Sequence, residues 1–303
     1  TVMAHWRFVP KLGDKSFCRS WLSVTPHYGI LLPNESVDIT ITLLVDAPTA
    51  HALNTGCELL NDILVLRVEN GTDSFITVHA DYARSCYGMS LSELMCTLKP
   101  IRYTLSPTDR KTGETEKNTV NSNVSSSSLS LSLSPELGVP KEVWRLVDHL
   151  FRGGMEEPDL FIVGGETGEM FMIRESLDTG RDFPSDVSPL SVGSALLEFL
   201  LALPEPLIAP EHYPAVELDE QNVRPWSRRF LENLPVPSYN LFVYLMSFFR
   251  ELLVHKINRL TPAKLAATSV SHMTRCSGIS REEKIRVDAM HTVVSYFLTT
   301  TAI

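Results

Sequence analysis

Apolar residues recur along the chain with two different periods. In residues 37–45 (VDITITLLV) they alternate with polar ones, the period-two pattern of a half-buried strand. Residues 62–68 (DILVLRV) form a short apolar run, which predicts a strand buried on both faces. Turn residues follow, and residues 74–80 (SFITVHA) predict the return strand of a hairpin with Asn70-Gly71 near its tip. Pro26, Gly29 and Pro33 bracket another predicted turn. Several short strands at this spacing predict an all-β sandwich of the immunoglobulin type.

Beyond residue 139 the period lengthens to that of a helix. Pro140 suits a first helical position, and Val143, Leu146, Val147 and Leu150 fall on one stripe. At 100° per residue, Trp144 and Phe151 lie together at the edge of that stripe. Ser191 is placed to cap the nearly all-apolar run 192–203, which Pro204 and Pro206 end. Ser238 is placed to cap a second apolar helix over 239–254. Thr261-Pro262 reads as an N-cap followed by proline. Ser280 and Glu283 have capping-box spacing ahead of the stripe Ile285, Ala289, Val293 and Phe297. Between the two regions, residues 122–134 hold eight serines in thirteen positions. Such a segment cannot bury enough apolar area to offset its ordering entropy. The expected organisation is therefore multidomain: a β-sandwich over 1–103, a Ser-rich disordered linker over 104–138 and an all-α domain over 139–303.

Charge and motifs narrow the chemistry. The net charge of −9 argues against a nucleic-acid partner bound through a basic face. The five cysteines show no C-x-x-C and no zinc spacing, and no metal or cofactor is expected. The sequons at Asn34, Asn70 and Asn123 would matter only in a secreted chain. The apolar runs are too short for a membrane span. A chain starting at Thr1 is expected to be a piece of a longer one. Residues 161–168 (FIVGGETG) do not fit a phosphate-binding glycine pattern and predict a turn. His79 and His149 are expected to be packed or surface residues.

Residues 191–207, ending in LPEPL, resemble the Rho-GTPase-activating (RhoGAP) helical domain, whose signature helix ends in the same motif. Residues 159–165 (DLFIVGG) fall where that family carries G-I-F-R-V-S-G, which puts Ile162 at the arginine-finger position. The family's lysine falls at Leu197, its arginine before LPEP at Leu201, and its Pro-Asn pair near Ser271-His272. A finger contributes on the order of 10³–10⁵ in rate, and isoleucine donates none of its hydrogen bonds. The resemblance thus implies a RhoGAP fold that is catalytically degenerate. The alternative is an active GTPase-activating protein that takes its arginine from Arg152 or Arg174.

Residues 8–11, 29–38, 53–56, 62–66 and 85–88 resemble the ASH domain, an immunoglobulin-like sandwich related to the major sperm protein fold. ASH followed by a degenerate RhoGAP domain is similar to the C-terminal half of the type II inositol polyphosphate 5-phosphatases, the OCRL (Lowe syndrome) group. That family implies several properties. Rab GTPases bind near the hairpin, where Gly71 and Phe75 match. Endocytic adaptors with phenylalanine-histidine motifs bind a helical groove, to which Trp144, Asp148 and Phe151 belong. Rac and Cdc42 contact the RhoGAP-like domain, an interaction that the altered positions weaken. Clathrin binding through residues 215–219 is not expected, because alanine stands where leucine is wanted. The parent protein would be a phosphatidylinositol 4,5-bisphosphate 5-phosphatase. It would be cytoplasmic and held indirectly on early endosomes, Golgi and clathrin-coated membranes.

Overall fold

The structure, a computed structural model, describes residues 3–104, 138–214, 216–275 and 280–300. The predicted linker lies outside these residues except at its two ends. The first region is a two-layer β-sandwich. Strands β1 (Ala4–Val9), β3 (Tyr28–Leu31), β5 (Asn61–Val68) and β6 (Ser74–His79) form one sheet in the order β3-β1-β5-β6. Strands β2 (Leu22–Thr25) and β4 (Thr40–Leu43) form the other. All pairings are antiparallel. Trp6, Phe8 and Leu64 of the larger sheet meet Trp21, Leu22 and Val24 in a shared core.

Four local expectations change. The run at 62–68 is not buried on both faces: Asp62, Leu64 and Val65 are buried while Ile63 is exposed. The alternating segment 37–45 forms a strand only over Thr40–Leu43. Gly29 lies inside β3 rather than in a turn. It pairs with Trp6, and a Cβ at 29 would stand 2.8 Å from the Trp6 ring, so the indole occupies the space that a side chain would need. A helix, α1 (Ala47–Asn54), capped by Asp46, crosses this region where only strands were expected. The hairpin forms as predicted, with Val65 opposite Phe75, but the left-handed residue of its turn is Asn70 (φ 58°), not Gly71.

The helical region contains α3 (Lys141–Gly153), α4 (Thr167–Thr179), α5 (Pro189–Ala202), α6 (Val223–Asn233), α7 (Val236–Val254), α8 (Pro262–Thr274) and α9 (Arg281–Thr299). The α3 stripe is buried as patterned. Thr261 caps α8, and the Ser280–Glu283 box opens α9. Two cap assignments are corrected. Ser188 caps α5, which leaves Ser191 inside the helix, where its hydroxyl accepts from the Glu166 amide at 3.0 Å. Helix α7 starts at Val236 behind Pro235, so Ser238 is already helical. In both cases a proline in the first turn, which loses no intrahelical bond there, starts the helix earlier than the serine.

Residues 85–103, grouped with the strands on sequence, pack into the helices. They include α2 (Leu91–Cys96), opened by a Ser90–Glu93 capping box. Cys86, Tyr87, Met89, Leu94 and Ile101 join the helical core. The Cys86 amide donates to Asp178 at 2.7 Å, and the Tyr87 hydroxyl donates to the Ala195 carbonyl at 3.1 Å. From the other side, the buried Asn54 amide donates to the Ser85 and Tyr87 carbonyls at 2.9 and 3.1 Å. Each such bond contributes about 1 kcal/mol. This segment therefore clasps the sandwich to the helices.

Candidate functional site

Helices α3 and α7 leave an open groove between them. It consists of two adjoining hollows of 670 and 540 Å³. Trp144, Tyr244 and Ser247 line both. The apolar stripe of α3 is spent on the core, so the residues flanking it must face outward. Trp144 is 50% exposed and Phe151 is 55% exposed. Phe151 lines the second hollow with Asp148, Phe248 and Glu251. Asp148 pairs with Arg152 at 2.9 Å, one helical turn on. Burial, helped by the nearby charge of Asp148, pushes the Tyr244 phenol up, which keeps it a neutral donor. Trp144, Asp148 and Phe151 thus meet in one place. The α7 wall was missed on sequence. Its signal is a row at Asn240, Tyr244, Ser247 and Glu251, spaced i, i+4, i+7 and i+11 on an otherwise apolar helix.

A separate hollow, of 630 Å³, gathers the four positions that the RhoGAP resemblance singled out. Ile162, Leu197, Leu201, Ser271 and His272 all line it, and among the described residues no arginine or lysine does. The loop carrying Ile162 is tightly held. The Gly165 amide donates to Ser194 at 2.7 Å, and a Cβ at Gly165 would stand 2.3 Å from the Ser191 Cα. Asp159 and Phe161 both have positive φ (55° and 68°), a costly conformation for such side chains. The Phe161 ring is buried edge-on against Phe248 and Phe249. Ile162 itself is 45% exposed. Burial raises the Glu198 carboxyl at the rim.

Neither alternative arginine lines this hollow, although the charge of Arg174 acts on Glu198 at its rim. Arg152 is paired with Asp148 at the groove. Arg174 donates to the Ser85 hydroxyl at 3.1 Å and lies over the Tyr87 ring, within the clasp.

On the sandwich, β6 is an edge strand of its sheet, and Phe75 is 72% exposed. Phe75 therefore does not fill the core. Gly71 follows the left-handed Asn70, and its amide donates to the Val68 carbonyl at 3.0 Å. Among the described residues no helix is long and apolar enough to cross a membrane, and no cluster suits a metal ion. His79 is exposed, and His149 packs against Phe183.

Comparison with known proteins gives two family matches. Residues 1–82 match the model of the inositol polyphosphate 5-phosphatase OCRL-like ASH domain, and residues 140–278 match the RhoGAP domain. The mouse type II inositol 1,4,5-trisphosphate 5-phosphatase is 35% identical over 257 residues, 85% of this chain and 25% of that protein. Mouse Rho GTPase-activating protein 44 is 29% identical over 143 residues, 43% of this chain and 17% of that protein. The crystal structure of human Rho GTPase activating protein 15 superposes with a TM-score of 0.49 at 16% identity, covering 54% of this chain and 82% of that one. The chain spans a quarter of the length of the mouse phosphatase that it matches. The chain thus carries an ASH domain of the OCRL-like type and, after residues 83–139, a RhoGAP domain, and over most of its length it is similar to a type II inositol 5-phosphatase.

Proposed function

We propose that this chain is a non-catalytic interaction module of an inositol polyphosphate 5-phosphatase. The α3/α7 groove binds amphipathic helical peptides with phenylalanine-histidine motifs, as found in endocytic adaptors. Trp144 and Phe151 are the apolar anchors, and Asp148 faces the peptide histidine. The β6 edge, with Gly71 and Phe75, takes a Rab GTPase. Together these contacts hold the phosphatase, acting on phosphatidylinositol 4,5-bisphosphate, at endosomal, Golgi and clathrin-coated membranes. Rac or Cdc42 binding at the helical domain remains compatible with this arrangement, since binding alone needs no finger.

The observation that carries the proposal is the meeting of two half-exposed aromatics with Asp148 along one groove. Half-exposed aromatics at a groove edge are the usual anchors of helix-in-groove recognition. The same structure speaks against a GTPase-activating role, because Arg152 and Arg174 are engaged elsewhere. The test is a pull-down with wild type, Phe75→Ala and Trp144→Ala, read separately for Rab proteins and adaptors. Each variant should lose one class of partner and keep the other. Equal capture by all three proteins would refute the assignment.

A further inference from the structure

The outward face of the four-stranded sheet carries a charge pattern that neither the groove nor the β6 edge uses. Strand register sets side chains in rows. Arg7 stands opposite Tyr28 of β3 on one side and Arg67 of β5 on the other. His5, two residues away and so on the same face, stands opposite Ile30. Two guanidinium groups directly opposite each other destabilise a sheet. Arg67 is neutralised by Asp73 through a bidentate pair, with Nε–Oδ1 at 2.8 Å and Nη2–Oδ2 at 2.6 Å. Arg7 is exposed and has no carboxylate partner among the described residues. In a chain of net charge −9, this is an arginine left uncompensated beside another.

A hollow of 640 Å³ lies over this row, lined by His5, Arg7, His27, Tyr28, Arg67 and Glu69. Its chemistry is mixed in a specific way. The Arg7 fork matches phosphate oxygens, Arg67 adds the Nη1 group that is not bonded to Asp73, and the histidines add donors. Glu69 can only accept, so it repels a bare anion but suits a ligand hydroxyl. Tyr28 is 67% exposed, in T-shaped contact with the His27 ring at 4.9 Å, and supplies apolar ring surface suited to the C–H side of a small cyclic molecule. We infer that this hollow binds a phosphorylated cyclic polyol, an inositol phosphate either free or as a lipid headgroup. The phosphate lies on Arg7 and Arg67, and a ring hydroxyl donates to Glu69.

The test uses the whole 303-residue chain. Inositol 1,4,5-trisphosphate is titrated calorimetrically, with unphosphorylated inositol as control. Flotation with phosphatidylcholine vesicles, with and without phosphatidylinositol 4,5-bisphosphate, forms the second arm. Saturable binding is expected in at least one arm and should weaken about tenfold or more in Arg7→Gln, as loss of a charged hydrogen-bonding group entails. The Tm of that variant should equal or exceed wild type, because a like-charge contact is relieved. Binding in the first arm alone assigns a soluble ligand, whereas headgroup-dependent flotation assigns the lipid. Tyr28→Ala, which keeps every charge, should also weaken binding. Trp144→Ala should not, which separates this site from the α3/α7 groove. Absence of saturable binding in both arms, or equal binding by wild type and Arg7→Gln, overturns the inference.

Discussion

The α3/α7 groove and the hollow around Ile162 lie on the same helical domain and share a helix, yet they offer a partner different things. The groove presents aromatic edges with carboxylates beside them. The Ile162 hollow presents aliphatic side chains among small polar ones and, among the described residues, no arginine or lysine. The shared element is α7: Phe248 lines the groove, and the same ring receives Phe161 from the loop that carries Ile162. That loop keeps a costly backbone and close seating although no arginine stands on it. The firm hold on this loop is explained by what lies behind it. Phe161 braces the α7 wall of the groove. Transition-state stabilisation needs donors at the reacting charge, whereas recognition of a helix needs only shaped apolar surface on a rigid support.

The severest way to break this comparison is to unseat the loop. In Gly165→Ala the new methyl meets Ser191 backbone, which cannot swing away as a side chain could. Overpacking of this kind costs about 3 kcal/mol at its upper end. The Tm should fall by roughly 6–12 °C, as measured by thermal denaturation. A variant as stable as wild type would show that the close seating is unimportant.

Next in size is the anchor itself. Trp144→Ala should cost about 2 kcal/mol of peptide affinity, roughly thirtyfold, because interface tryptophans carry a large share of binding energy. Its Tm should stay near wild type, since half of the side chain is already in solvent. Ile162→Ala should leave peptide affinity unchanged. If isothermal titration finds equal losses for the two variants, the groove is not the distinct recognition surface described.

The two surfaces were unequally legible in the sequence. The α3 stripe fixes where Trp144 and Phe151 must point, because helical periodicity leaves a residue at the stripe's edge no other direction. The convergence of Ile162, Leu197, Leu201 and Ser271-His272 was legible only through the RhoGAP resemblance, since tertiary packing brings three separate segments together. Residues 85–103 were grouped with the sandwich because residues 85–88 resemble the ASH domain and the rest show no helical period. Only the helical core reveals that Tyr87 and Ile101 belong to it. Gly29 was taken for a turn because glycine marks both turns and close approaches, and the nearness of Trp6 is a fact of register.

A buried carboxyl behind the groove gives a smaller, pH-dependent effect. Glu142 in the first turn of α3 is 1% exposed. Burial raises it, Lys141 partly offsets that, and Asp178 adds to the rise. Its folded pKa lies above the unfolded one, so the native state holds the proton more tightly. Stability from this group is full below the unfolded pKa and declines as pH rises through the folded one. Denaturation series from pH 4 upward should show this decline, and Glu142→Gln should flatten it. The opposite sign is expected of Asp62 in the sandwich. There burial raises the carboxyl, but bonds from Lys11, Arg19 and Ile63 outweigh it and hold the group low, so acid removes its contribution.

The smallest expected effect tests the Ile162 hollow directly. Ile162→Arg restores the side chain that a RhoGAP finger supplies, on a loop that is already rigid. The guanidinium would still face Leu197 and Leu201, neither of which can donate a hydrogen bond, with the Glu198 carboxyl at the same rim. A finger acts within a set of groups placed together, and one member returned alone lacks the geometry that gives it its rate. GTP hydrolysis by Rac or Cdc42, followed by phosphate release, should therefore stay within about tenfold of wild type, far below the 10³–10⁵ of a complete site. A thousandfold acceleration from this single replacement would mean that the hollow had lost one residue and kept its function otherwise intact. The contrast between the groove and the Ile162 hollow, and with it the proposed non-catalytic role, would then fail.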